Sequence, residues 1–92
     1  MKQLRRFSVG YSPAVFKTLK KIDRGTAALI YIWINEHLQN CENPRQYGKP
    51  LTSNRKGAWR YRIGKYRLLA NIQDEHLTIL LIDLGDRKNI YR

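Results

Sequence analysis

Acidic residues are scarce in this sequence. Seven Asp and Glu stand against 18 Lys and Arg in 92 residues, a formal charge of +11. A surface of that sign draws in and steers polyanions, nucleic acid first, with an anionic membrane or an acidic protein behind it. It also exceeds the ~2–8 charges that solubility alone asks of a small domain. Cysteine is nearly absent. Cys41 stands alone, so no internal disulfide can form, and its polar surroundings suit an inert thiol. Long apolar runs are missing as well: the longest, residues 27–34, is too short to span a bilayer, so no membrane partner is expected. Residues 1–9 carry charge without an apolar stretch of the secretory kind, which predicts no signal peptide and fits a reducing cytoplasm. His, Cys and carboxylates nowhere fall at metal-ligand spacing, so neither metal nor cofactor is expected; His37 and His76 read as structural or solvated.

What remains is enough for one domain. The hydrophobic share of 42% and the aromatic share of 11% suit a folded chain with one modest core. Gln3 to Val9 reads as a short strand. Ser12-Pro13 supplies an N-cap and a first helical residue, followed by Val15, Phe16, Leu19 and Ile22 at helical spacing. Asp23 caps a second helix to about Leu38, with Ala27, Ile30, Tyr31, Ile34 and Leu38 as its stripe and Leu29, Ile32 and Trp33 lying off it. A helix apolar over more than one face is either sandwiched in the core or covered by a partner. Gln39 to Gly57 is dense in turn formers and predicts a long irregular connection. Three strands follow: Ala58 to Ile63, Tyr66 to Gln73 and His76 to Leu84, the last nearly all apolar as in a central strand. The order β-α-α-β-β-β predicts an α+β two-layer sandwich, an antiparallel sheet of about four strands with an αα-hairpin on one face.

Charge clusters on the other face. No acid occurs between Glu42 and Asp74, while Arg45, Lys49, Arg55, Lys56, Arg60, Arg62, Lys65 and Arg67 supply eight cations, interleaved with Tyr47, Trp59, Tyr61 and Tyr66. Alternation puts Trp59, Tyr61 and Ile63 on one side of their strand and Arg60 and Arg62 on the other, and a hairpin brings that pair beside Arg67. Guanidinium forks bind phosphate bidentately and stay charged at any working pH, so the cluster predicts a phosphate-binding groove. Arg87, Lys88, Tyr91 and Arg92 follow Gly85, which reads as the end of the last strand, so this segment is expected to be able to fold back over the same face.

Pro44, Gly48, Leu51 and Gly57, then Trp59-Arg60-Tyr61-Arg62-Ile63, Tyr66-Arg67-Leu68, Leu84-Gly85-Asp86-Arg87 and Tyr91-Arg92, resemble the successive signatures of the RelE/ParE toxin superfamily over essentially the whole chain. The resemblance implies the toxin of a type II toxin–antitoxin pair. For the RelE branch it implies a metal-independent endoribonuclease that enters the ribosomal A site. There the message's own 2′-hydroxyl attacks the adjacent phosphate, leaving a 2′,3′-cyclic phosphate. Such a reaction needs a proton acceptor, cations for the pentacoordinate phosphorus and an acid for the leaving oxygen. The resemblance assigns phosphate stabilisation to Arg67 and Arg87 and base stacking or proton transfer to Tyr91. Arg60 and Arg62 stand where the founding member carries lysines, and because arginine holds its proton they suit electrostatic clamping rather than base chemistry. Asp86 stands where many relatives carry histidine, which leaves Tyr91, Lys65 or a ribosomal group as proton acceptor.

Two other functions stay open: a ParE-like toxin that inhibits DNA gyrase by protein contact, and a basic RNA-binding module without catalysis. Either toxin implies a cognate antitoxin, acidic and partly disordered when free, that covers the apolar helix and the basic groove.

Overall fold

Residues 5–51 and 57–86 are described by the computed structural model. The first strand, β1, spans Ser8–Tyr11. Gln3 and Leu4, with which the predicted strand begins, lie outside the described residues, and the pairing register starts at Ser8. Two helices follow as the caps dictate. Ser12 Oγ accepts the Val15 N–H at 3.3 Å and starts α1, Pro13–Lys21; Asp23 accepts the Thr26 N–H at 3.0 Å and starts α2, Arg24–His37. Asn40, at φ 65°, adopts the left-handed conformation that asparagine tolerates and turns the chain away. The helix pair thereby returns to the start of β1: the Phe7 N–H donates to the Cys41 carbonyl at 2.9 Å and the Asn40 N–H to the Phe7 carbonyl at 2.8 Å.

The remaining strands are β2 (Lys49–Pro50), β3 (Trp59–Ile63), β4 (Tyr66–Gln73) and β5 (Thr78–Asp86). They form a sheet of order β1-β5-β4-β3-β2. This corrects the sequence-based expectation twice. The sheet has five strands rather than about four, because the connection predicted as irregular contributes β2, paired through Lys49↔Arg60 and Pro50↔Trp59. It is also not wholly antiparallel: β1 joins β5 in parallel, Ser8↔Thr78 to Tyr11↔Leu81. The intervening helices supply the long crossover that a parallel neighbour requires.

A register shift between Leu69 and Ala70 decides which residues of β5 face the core. Leu69 pairs with Asp83 and Ala70 with Leu81, so Ile82 is the extra residue of a β-bulge. Ile79, Leu81 and Leu84 therefore all point to the helices despite their uneven spacing. Ile82 turns to the opposite face and packs with Leu51, Ala58 and Leu69 in a second, small apolar cluster. The main core joins Phe7, Val15, Leu19, Ala27, Ile30, Ile34 and Leu38 to Tyr61, Leu68, Ala70 and the β5 residues. Phe16, Leu29 and Ile32 stay exposed, at 47, 66 and 50%.

Gly48, just before β2, has φ 76°, and a Cβ there would collide with the Arg60 carbonyl oxygen. Gly48→Ala is expected to destabilise the fold by more than the ~1–2 kcal/mol of a left-handed residue alone, read as a lower midpoint in urea denaturation.

Candidate nucleic-acid interface

The register of β2, β3 and β4 builds the site. Lys49 lies opposite Arg60 and Arg62 opposite Arg67, in neighbouring rows of the sheet face that the helices leave uncovered. Cβ atoms of directly opposed residues lie ~4.5–5.5 Å apart, so each row places two cations side by side. Leu69 and Asp83 continue the first row beyond Arg60, and Gly85 continues the second beyond Arg67. A groove of about 240 Å³ runs along this edge, lined by Gly48, Lys49, Arg60 and Arg62.

The three arginines differ in depth. Arg62 is exposed and Arg60 half-buried, whereas Arg67 is only 5% exposed. Arg67 thus points to the expected face but lies covered within it. Lys65, in the β3–β4 turn, holds its Nζ 5.9 Å from the centre of the Tyr66 ring. The last described residue, Asp86, pairs with Tyr66 at that same end of the sheet. Arg87, Lys88, Tyr91 and Arg92 lie outside the described residues, as do Arg55 and Lys56.

Arg45 is not brought to the cluster. Its guanidinium forks onto Asp74 at 3.0 and 2.9 Å. Asp74 follows the far end of β4, about 20 Å from Arg67 by the rise of a strand. The hydrogen bond from Arg45 holds the Asp74 carboxyl below its usual range. A carboxyl lowered in the folded state contributes stability above its unfolded value, near pH 4, and that contribution vanishes as pH falls through the lowered value. The pair is solvent-exposed and screened, so its effect is small. Asp74→Asn should flatten part of the loss of Tm below pH 4 and leave Tm at pH 7 in high salt unchanged.

Aromatic residues interleaved with the cations are structural. Tyr61 is fully buried on the helix side of β3 and donates its hydroxyl to the Pro44 carbonyl at 2.7 Å. Burial pushes that phenol well above its ordinary value, so it stays neutral. The Trp59 indole N–H donates to the Tyr47 carbonyl at 2.6 Å. Trp33 stacks on His37 at 4.5 Å, and Tyr47 meets His37 edge-on at 5.0 Å. His37 Nδ1 donates to the Trp33 carbonyl at 2.9 Å. Sequence reasoning missed the part played by Gly48 and β2. The signal was present in a glycine beside a Lys-Pro pair opposite an alternating strand. Among the described residues, no three of His, Cys, Asp or Glu gather as metal ligands would, and no helix is long and apolar enough to cross a membrane.

Known proteins resemble this one in sequence and fold. The toxin RelG of Mycobacterium tuberculosis is 43% identical over 49 residues, 53% of this chain and 56% of that protein, so the match spans about half of each. The toxin–antitoxin complex RelBE2 of M. tuberculosis contains a chain that superposes with a TM-score of 0.80 at 26% identity, covering 97% of this chain and 100% of that one. A free mutant of the Escherichia coli RelE toxin shares the fold, with a TM-score of 0.72 at 17% identity over 92% of this chain and 87% of that one. A family model described as the ParE toxin of the parDE type II toxin–antitoxin system matches residues 9–91. With sheet order, helix pair and nearly full-length match in agreement, this chain belongs to the ParE toxin family of the RelE/ParE superfamily.

Proposed function

We propose that this protein is a growth-arresting toxin of the RelE type, a metal-independent endoribonuclease that cuts messenger RNA in the ribosomal A site. The observation that carries this reading is the pair of like-charged rows, Lys49–Arg60 and Arg62–Arg67, on the uncovered sheet face. Cations gathered this closely on one face can bind a single anion together, and guanidinium forks do so bidentately. A phosphodiester supplies that anion, and the trigonal-bipyramidal phosphorus formed by 2′-hydroxyl attack carries one more negative charge than the bound substrate. Cations fixed beforehand by strand register stabilise that extra charge without reorganising. Arg62 and Arg60 meet the RNA backbone at the surface, and Arg67, opposite Arg62 on β4, adds its charge from a water-poor setting in which each charge acts more strongly. Arg87 joins them, and Arg55, Lys56, Lys88 and Arg92 extend the contact to the flanking backbone. Arginine holds its proton too tightly to serve as a base. Tyr91 is the leading proton acceptor, with Lys65 or a ribosomal group next.

The exposed Phe16, Leu29 and Ile32 are the docking surface for a cognate antitoxin, an acidic amphipathic segment disordered when free. Both the toxin and its ribosomal target act in the cytoplasm.

In vitro translation with purified protein tests the reading. Messages should be cut within the A-site codon, and the 5′ fragments should end in a cyclic phosphate. Intact messages at toxin concentrations that arrest growth would falsify it. The family model's ParE description favours a second reading, inhibition of DNA gyrase by protein contact. That reading predicts DNA-damage signalling with whole transcripts, and primer extension on RNA from arrested cells separates the two.

A further inference from the structure

The edge strand β2 is held in one register by several contacts. Gly48 takes a positive φ and presses its backbone on the Arg60 carbonyl, so no side chain fits there. The Leu51 N–H donates to the Ala58 carbonyl at 2.9 Å and closes the far end of the pairing. Trp59 grips the approach through its indole hydrogen bond to Tyr47. These contacts put Lys49 in register with Arg60 and nowhere else. Together they form one wall of the groove that continues to Arg62.

We infer that Lys49 and Arg60 form a second phosphate subsite, which holds the RNA phosphate next to the one cut at Arg62 and Arg67. Arg60 and Arg62 are two residues apart on one strand face, a separation of roughly 7 Å at the rise of a β-strand. That span is comparable with the step between neighbouring phosphates of an extended RNA strand. The rows are also offset by one strand, since the cations of the first lie on β2 and β3 and those of the second on β3 and β4. A bound backbone therefore crosses the sheet obliquely, from the β2 edge toward Gly85. Lys49 is a point charge on a flexible stem, suited to holding a flanking phosphate, whereas the guanidinium forks of the second row suit the more exacting scissile one.

The assignment of which phosphate is cut rests on the nuclease reading; the existence of a second phosphate contact does not. Two measurements keep them apart. The first is binding of a short single-stranded oligoribonucleotide, followed by fluorescence anisotropy across a salt series. Each phosphate contact on a single strand contributes ~0.7 to the slope of log K against log salt. Lys49→Ala should lower that slope by about 0.7. Lys17→Ala, which removes an exposed charge from α1 behind the sheet, should leave it unchanged. A slope unaltered by Lys49→Ala, or lowered equally by both variants, overturns the subsite. The second is message cleavage by the wild-type protein in a translating extract. Its absence overturns the nuclease reading, while the salt series still decides the subsite.

Discussion

Arg67→Ala is expected to lower message cleavage by about 10²–10³-fold, the loss typical of removing one preorganised donor to a developing oxyanion. The effect is large because strand register fixes this guanidinium opposite Arg62, and its surroundings leave it only 5% exposed. A water-poor setting makes each charge on it count for more than on the open surface. Loss of the packed stem also costs stability, so alanine alone mixes two causes. Arg67→Lys divides them, since it keeps the charge and most of the stem and loses the planar fork. It should retain Tm within a few degrees and still cleave at least ~10-fold more slowly, because one ammonium cannot hold two phosphate oxygens in a fixed plane. The measurements are thermal melting by circular dichroism and primer extension from a translating extract. Full activity in Arg67→Lys at an unchanged Tm would remove the fork from the mechanism.

Tyr61→Ala should be the most damaging single change to the fold, at about 3–5 kcal/mol for truncating a buried aromatic. A domain of this size has a total stability of about 5–14 kcal/mol at the usual ~0.05–0.15 kcal/mol per residue. The variant is therefore expected to be partly unfolded at 37 °C. Tyr61→Phe isolates one component. It keeps the ring against Trp33, whose centre is 5.6 Å away, and strands the Pro44 carbonyl. An unsatisfied buried acceptor costs about 1–3 kcal/mol. For a domain of this size that is a drop in Tm of several degrees, at ~4–8 °C per kcal/mol. Because Tyr61 stands between Arg60 and Arg62, the ring anchored in the core is what presents both guanidinia to the opposite face. Tyr61→Phe should accordingly cleave RNA at the wild-type rate below its Tm. A cleavage defect at full foldedness would assign the hydroxyl a role beyond the core.

Much of the fold was legible because its signals are local. Ser12 and Asp23 cap the helices they were predicted to cap. The alternation through Trp59, Tyr61 and Ile63 assigned the faces of β3, and with them the direction of Arg60 and Arg62. What escaped depends on partners distant in sequence. Lys49–Pro50 is a strand only because β3 lies beside it; two residues carry no periodicity of their own. The bulge at Ile82 is invisible in a stretch where nearly every residue is apolar and either face would accept it. The parallel pairing of β1 with β5 joins the two ends of the described chain. Within the site, the sequence located the cations but not their depth. Burial of Arg67 is a property of the assembled sheet, and the fork of Arg45 on Asp74 spans 29 positions. The remaining assignments, at Arg87 and Tyr91, rest on resemblance alone.

The position of β5 governs when the molecule can exist during its synthesis. Among the described strands this one is made last, yet it lies inside the sheet between β1 and β4. Until it clears the exit tunnel, β1 has no neighbour to pair with, and the helices lack Ile79, Leu81 and Leu84 to close upon. A nascent chain halted before residue 78 has no completed core, and its cationic face has no scaffold. A chain assembled in this order gains its core, and with it the frame for its cationic face, only once β5 is in place.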